Sequence, residues 1–164
     1  MTRLFFDASA LAKRYAAERG APLVNRIFAK VPIHRMMCLM LGAGEVAAVI
    51  VRRHNSGELS YESFTHASDE LLREVVESSE FATLPFTNAD VVAAIPLLVR
   101  HHVNITDAAL LQILIEPTAA AAAAGDQRVL VASDERLLRA ARAEHLNAFN
   151  PETASEAELE ALTA

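Results

Sequence analysis

Only one cysteine, Cys38, stands in this 164-residue chain. No intramolecular disulfide can form and no cysteine-based zinc site is available, so a reducing compartment is the simplest setting. Every apolar stretch is broken by a charge, glycine or proline well short of the roughly 20 residues that a membrane span needs, so no membrane association is expected. Met1-Thr2-Arg3 leads straight into a short apolar strand instead of a basic segment, an apolar run and a cleavage site, which makes a cytoplasmic protein the expectation. Internal repeats and a linker between domains are missing as well. An excess of basic charge is also missing: 15 Lys and Arg face 21 Asp and Glu, a formal net charge of -6. Such a balance weighs against a nucleic-acid partner, which usually meets a basic face. It weighs little where several acids form one metal site, because bound divalent cations neutralise them locally.

What is present is a hydrophobic fraction of 52%, rich in alanine, valine and leucine, on a chain long enough for one well-filled core. Strand and helix patterns alternate. Leu4 to Phe6 is a short apolar strand, followed by an alanine-rich helix to about Arg19 and a second helix from about Pro22 to Lys30. Ile33 to Cys38 reads as a buried strand, and a helix from about Leu41 to His54 is stopped by Asn55-Ser56-Gly57. An amphipathic helix spans Tyr61 to Ser78, and Phe81 to Phe86 is the next strand. Thr87 or Asn88 caps a helix to about Arg100 that Pro96 kinks or divides. Another helix starts near Asp107 and is interrupted at Pro117; the alanine run 119–124 is either more helix ended by Gly125 or a flexible insertion. Arg128 to Ala132 is a buried strand, a helix runs on to about His145, Leu146 to Phe149 is the last strand, and an acidic helix follows Ser155. This alternation is the pattern of a parallel sheet covered on both faces, an α/β fold. One unit is expected over 1–152, with an acidic tail or helix over 153–164.

Ligands of open parallel sheets gather at the carboxyl ends of the strands, where strand order reverses. Asp7 and Asp134 both stand where a strand hands over to a helix, and Asp107 opens a helix after a short extended segment. Glu45 lies inside a helix on the apolar stripe, with Leu41 and Val49 one turn away on either side. Each has a plainer reading: Asp7 and Asp134 as helix caps, Asp107 as a first-turn acid, Glu45 as the partner of Arg52 or Arg53. The convergence of four such acids is the stronger argument. Carboxylates packed together repel unless a hard divalent ion takes their charge, and Mg²⁺ or Mn²⁺ so held activates a bound water and offsets charge on a phosphodiester. Ser9, Thr106 and Ser133 stand beside the acids and either support them or serve their own helix N-termini.

These residues are also familiar in combination. Leu4-Phe5-Phe6-Asp7-Ala8-Ser9-Ala10-Leu11 resembles the first motif of the PIN-domain family, and Gly44-Glu45-Val46-Ala47-Ala48 through Arg52-Arg53 resembles the second. Thr106-Asp107-Ala108-Ala109 is similar to the third. Val129 through Asp134, with Arg136 to Ala141 and Asn150-Pro151-Glu152, is similar to the fourth motif and the final strand. The resemblance runs in order from residue 4 to about 152. It implies a three-layer α/β/α sandwich with a central parallel sheet and an Mg²⁺- or Mn²⁺-dependent endoribonuclease site on Asp7, Glu45, Asp107 and Asp134. It further implies a VapC-type toxin that acts on RNA, forms a homodimer and is inhibited by a small antitoxin protein. The chain departs from the pattern before Glu45, where the family often shows Ser or Thr and this sequence has Cys38-Leu39 and Gly42-Ala43-Gly44. After Asp107-Ala108 it departs again, with Leu110-Leu111-Gln112 and then Pro117.

Lys13, Arg14, Arg52, Arg53, Arg136, Arg139 and Arg142 fall near these motifs, as RNA phosphate contacts, salt-bridge partners or a solvated face. His101-His102 suits a helix end better than a ligand pair, since adjacent helical residues point apart. Cys38 and the methionines Met36, Met37 and Met40 read as core or groove filling. A phosphoaspartate phosphatase would need an acid where Ser9 stands, and a receiver domain would need paired acids at the first strand and a late lysine. The remaining rival is a PIN-like module that binds RNA or a protein without catalysis.

Overall fold

In the computed structural model, strand β1 (Thr2–Phe6) is followed by helix α1 (Ala8–Leu11), tightened into a 3₁₀ turn at Ala12–Arg14, and by α2 (Ala21–Lys30). Then come β2 (Met36–Leu39), α3 (Met40–Asn55), α4 (Tyr61–Leu71), β3 (Ala82–Leu84), α5 (Asn88–His101) and α6 (Ile105–Ile115). Strand β4 (Gln127–Val131), α7 (Glu135–Ala143), β5 (Asn147–Phe149) and α8 (Glu156–Thr163) complete the order. The structure describes residues 1–116, 123 and 125–163, so the reading of the alanine run 119–124 lies, apart from Ala123, outside the described residues.

All the strands are parallel, in one sheet of order β3-β2-β1-β4-β5. The central strands are buried on both faces, which is why Leu4–Phe6, Met36–Leu39 and Val129–Val131 read as unbroken apolar runs. Side chains still alternate. Leu4 and Phe6 of β1, with Met36 and Cys38 of β2 and Val129 and Val131 of β4, pack into one core under α2, α3, α4 and α8. Phe5, Met37, Leu39 and Leu130 point the other way, into a second core under α5, α6 and α7. The result is the three-layer α/β/α sandwich.

Local departures from the sequence expectations have local causes. Pro32 starts a 3₁₀ turn over Ile33–Arg35, with the Arg35 N–H donating to the Pro32 carbonyl at 2.9 Å, so the strand begins only at Met36. The helix expected to run to Ser78 leaves α geometry at Leu71 and continues as a π turn, Leu72–Val76. Helix α5 passes through Pro96 without dividing. The carbonyl four residues earlier belongs to exposed Val92, where water can replace the missing donor. Helix α6 starts at Ile105, two residues before Asp107, because Asn104 caps it. Met40 is 42% exposed and is not part of the core. His101 ends α5 and contacts Glu144 at 2.6 Å, while His102 takes the left-handed cap conformation. Cys38 is fully buried. Acidic α8 lies against α2: Leu159 is fully buried, and Arg26 and Lys30 pair with Glu156 and Glu160. Among the described residues no helix is long and apolar enough to cross a membrane.

Candidate active site

Strand order reverses at β1, whose neighbours are β2 and the late strand β4. The carboxyl ends of β1 and β4 therefore face the switch point, and each leads into an acid, Asp7 directly after β1 and Asp134 three residues beyond Val131 of β4. The Asp7 N–H donates to the Val131 carbonyl at 2.9 Å, extending the β1–β4 ladder by one rung and fixing Asp7 at its end. Asp7 caps α1, its Oδ2 accepting the Ser9 N–H at 2.9 Å. Asp134 caps α7, its Oδ1 accepting the N–H groups of Arg136 and Leu137 at 2.7 and 3.2 Å. Ser9 ties the two junctions together: its Oγ accepts the backbone N–H groups of Ser133 at 2.9 Å and Asp134 at 3.2 Å. Ser133 thus contributes its backbone, while its own hydroxyl is buried without a partner.

The other two acids come from helices on opposite faces of the sheet. Glu45, on α3, accepts a hydrogen bond from the Thr106 hydroxyl of α6 at 2.8 Å. The small hydroxyl residue that the sequence lacks before Glu45 is in effect supplied across the sheet end by Thr106. Asn104, which caps α6, accepts the Asp107 N–H at 2.8 Å and lines the same cleft. Sequence reasoning passed over Asn104, although an Asn three residues before a first-turn acid is a capping signal. Glu18 was missed too, and nothing local announces that it lines the cleft.

Asp7, Glu45, Asp107 and Asp134 converge on one open cleft of about 500 Å³, walled also by Ser9, Glu18, Ala48, Val49, Arg52 and Asn104. Asp7 and Asp107 are only 6% and 4% exposed. Asp7, Glu45 and Asp107 have no cationic partner among the described residues, and Asp134 has only a loose approach of Arg136 at 3.7 Å. The electrostatic result follows. Burial, then the charges of Asp7 and Asp134, push Asp107 up to about 7. Burial also raises Asp7 against the hydrogen bonds of Ser9, with Asp134 adding to the rise. Glu45 is raised by burial, partly offset by Thr106. Most telling is Asp107 Oδ2, buried without any hydrogen-bond partner. Leaving such an atom unpaired is costly unless something positive or protic completes it.

Among the described residues, no group of three His, Cys, Asp or Glu side chains is arranged to hold a metal ion as it stands. The donors are nevertheless those a hard cation takes. Mg²⁺ in particular binds through one or two carboxylates and keeps several waters, so it does not require three closed protein ligands. Of the cations near the motifs, Lys13, Arg14 and Arg53 take the salt-bridge alternative. Lys13 is buried against Glu18 and Glu152, Arg14 is bound to Glu74, and Arg53 pairs with Glu18.

No protein-family model matches the chain, and no curated protein matches it in sequence. Solved structures match it in shape. PAE2754 from Pyrobaculum aerophilum superposes with a TM-score of 0.62 at 20% identity, over 98% of this chain and 96% of that one. Mycobacterium tuberculosis VapC20, a sarcin-ricin loop-cleaving toxin, gives 0.59 at 20% identity over 84% of this chain and 94% of its own. Likeness at that identity is a likeness of fold. With its parallel sheet, its three layers and this superposition, the chain has a PIN/VapC-type fold.

Proposed function

We propose that the chain is a metal-dependent endoribonuclease, the toxin of a VapBC-type pair, cutting RNA at the cleft formed by Asp7, Glu45, Asp107 and Asp134. The observation that carries this is the orphaned, buried Asp107 Oδ2 among carboxylates that raise one another's proton affinity. Four acids serving only as caps and ion-pair partners would not leave that oxygen bare. The fold shared with VapC20 supports the same reading.

Asp7, Glu45 and Asp107 would hold Mg²⁺ or Mn²⁺, directly or through water, with Asp134 completing the pocket. A divalent ion there supplies neutralisation of the acids, a water of lowered pKa and charge to offset the phosphodiester. The chain's own residues do the orienting. Thr106 fixes one oxygen of Glu45 and leaves the other free. Ser9 ties the segment after β4 to the end of β1 and so holds Asp134 beside Asp7. Asn104 pins the first turn of α6 and with it the Asp107 backbone. The partners in this reading are an RNA substrate, a small antitoxin protein and a second copy of the chain.

Metal-dependent cleavage of RNA is the test. The wild type is expected to cut RNA with MgCl₂ or MnCl₂ and to stop with EDTA, and Asp7→Asn to lose cleavage while melting normally. Unchanged cleavage in that variant sinks the site assignment. RNA binding without cleavage under any metal would favour a binding module instead.

A further inference from the structure

Most cations around the cleft have found carboxylates. Glu18, on the cleft wall, gives one oxygen to Lys13 at 3.1 Å and the other to Arg53. Arg136 leans on Asp134, Arg142 approaches Glu135, and neither lines the cleft. Arg52 is different. It is exposed, it lines the cleft, and among the described residues its guanidinium has no hydrogen-bond or ion-pair partner. Glu18, the other acid lining the cleft, has each of its oxygens already on a cation, Lys13 and Arg53.

Helix α3 brings Arg52 there by periodicity. Glu45, Ala48, Val49 and Arg52 fall at i, i+3, i+4 and i+7, one face of the helix, and all four line the cleft. Two turns separate Glu45 from Arg52, about 10 Å along the axis. The carboxylate is half-buried and the guanidinium is exposed, so the same helix face runs from the acids to the rim. Small Ala48 and apolar Val49 between them carry no charge to distract either end.

A chain with a net charge of -6 repels a polyanion as a whole. Metal at the acids answers that repulsion only at the phosphodiester being cut, and a strand must also be held on either side of it. A planar guanidinium fork presents paired N–H donors that match the non-bridging oxygens of a phosphate. We propose that Arg52 is a positioning residue that grips a phosphate flanking the cleaved one and so lays the RNA strand across the acids. This rests on the ribonuclease reading above and adds to it the residue that holds the substrate.

Two assays on the full chain decide it. The first is fluorescence anisotropy of a short, labelled, random-sequence RNA in EDTA over a range of salt; the second is steady-state cleavage in MgCl₂. Arg52→Ala is expected to weaken binding about tenfold. The slope of log affinity against log salt should become shallower by about 0.7, the signature of one lost contact to a single strand. In cleavage its KM should rise while kcat stays near wild type. Arg52→Lys keeps a charge without the fork and should restore the salt slope but not the full affinity. Arg73→Ala, exposed and away from the cleft, should match wild type in both assays, and all the variants should melt alike. Wild-type affinity and slope in Arg52→Ala would overturn the proposal, as would a loss confined to kcat. If the wild type cleaves RNA and Arg52→Ala changes neither binding nor KM, only this proposal falls. If the wild type neither binds nor cleaves, the ribonuclease reading falls and takes this one with it.

Discussion

Glu74, on the flank between α2 and α4, and Asp107, in the cleft at the ends of β1 and β4, are both drawn away from water and respond in opposite directions. Burial works against the charge of Glu74, but the Arg14 guanidinium meets it fork to fork at 2.9 and 3.1 Å, and Tyr15 adds a weaker contact. Together these hold Glu74 below the usual carboxylate range. Arg14 is itself steadied by stacking over Phe28 at 5.1 Å. Asp107 is more deeply buried, has no cationic partner among the described residues, only other acids, and rises to about 7. A carboxylate given its own cation is part of the scaffold. One surrounded by like charges is held in a state that only an added positive charge, or a proton, relieves.

The comparison can be broken at either end. The largest effect is expected at the cleft: Asp7→Asn should lower RNA cleavage by roughly a hundredfold or more, since losing several kcal/mol of transition-state stabilisation costs a factor of ten for each 1.36 kcal/mol. Circular dichroism should show the fold intact. Next, MnCl₂ at about 100 times its Kd should stabilise the wild type by roughly 2.7 kcal/mol and leave Asp107→Asn nearly unmoved, read as a shift in Tm. Equal responses would mean that Asp107 is no ligand.

On the flank the sign reverses. Glu74→Ala strands the Arg14 guanidinium, and urea melts should show a loss of about 1–2 kcal/mol, less than a fully buried pair because both groups are partly wet. Cleavage should be unaffected. The smallest effect separates the two regions by pH. The raised Asp107 contributes stability that is complete below its unfolded pKa and is lost as pH climbs through about 7. Metal-free wild type should therefore weaken from about pH 4 to about pH 7, and Asp107→Asn should weaken less over that span, its remaining loss coming from the raised Asp7 and Glu45. The depressed Glu74 works the other way, its contribution present above the ordinary carboxylate range and lost as pH falls through and below it. Parallel pH profiles for wild type and Asp107→Asn would remove the contrast.

Much of this was legible from residue order alone. Apolar runs of strand length alternating with helical periodicity dictated a parallel sheet with covered faces, and the acids after Phe6 and Ser133 followed from where such sheets place their ligands. Glu45 could be singled out because a carboxylate on an apolar stripe needs a reason. These are local signals, carried by the periods 2 and 3.6 and by residues next to one another in sequence. Partner choice was not local. Whether Glu45 would meet Arg53 or Thr106, whether Lys13 and Arg14 would face RNA or vanish into ion pairs, and whether Ser9 would hold two strand ends together depended on elements tens of residues apart. Only the sheet order β3-β2-β1-β4-β5 brings those elements into reach. The sequence by itself determined the layers of the fold and the identity of the acids. Tertiary structure alone decided which charges are neutralised and which are left bare, because Coulombic and hydrogen-bond energies depend on distances in space that the chain acquires only when the sheet closes.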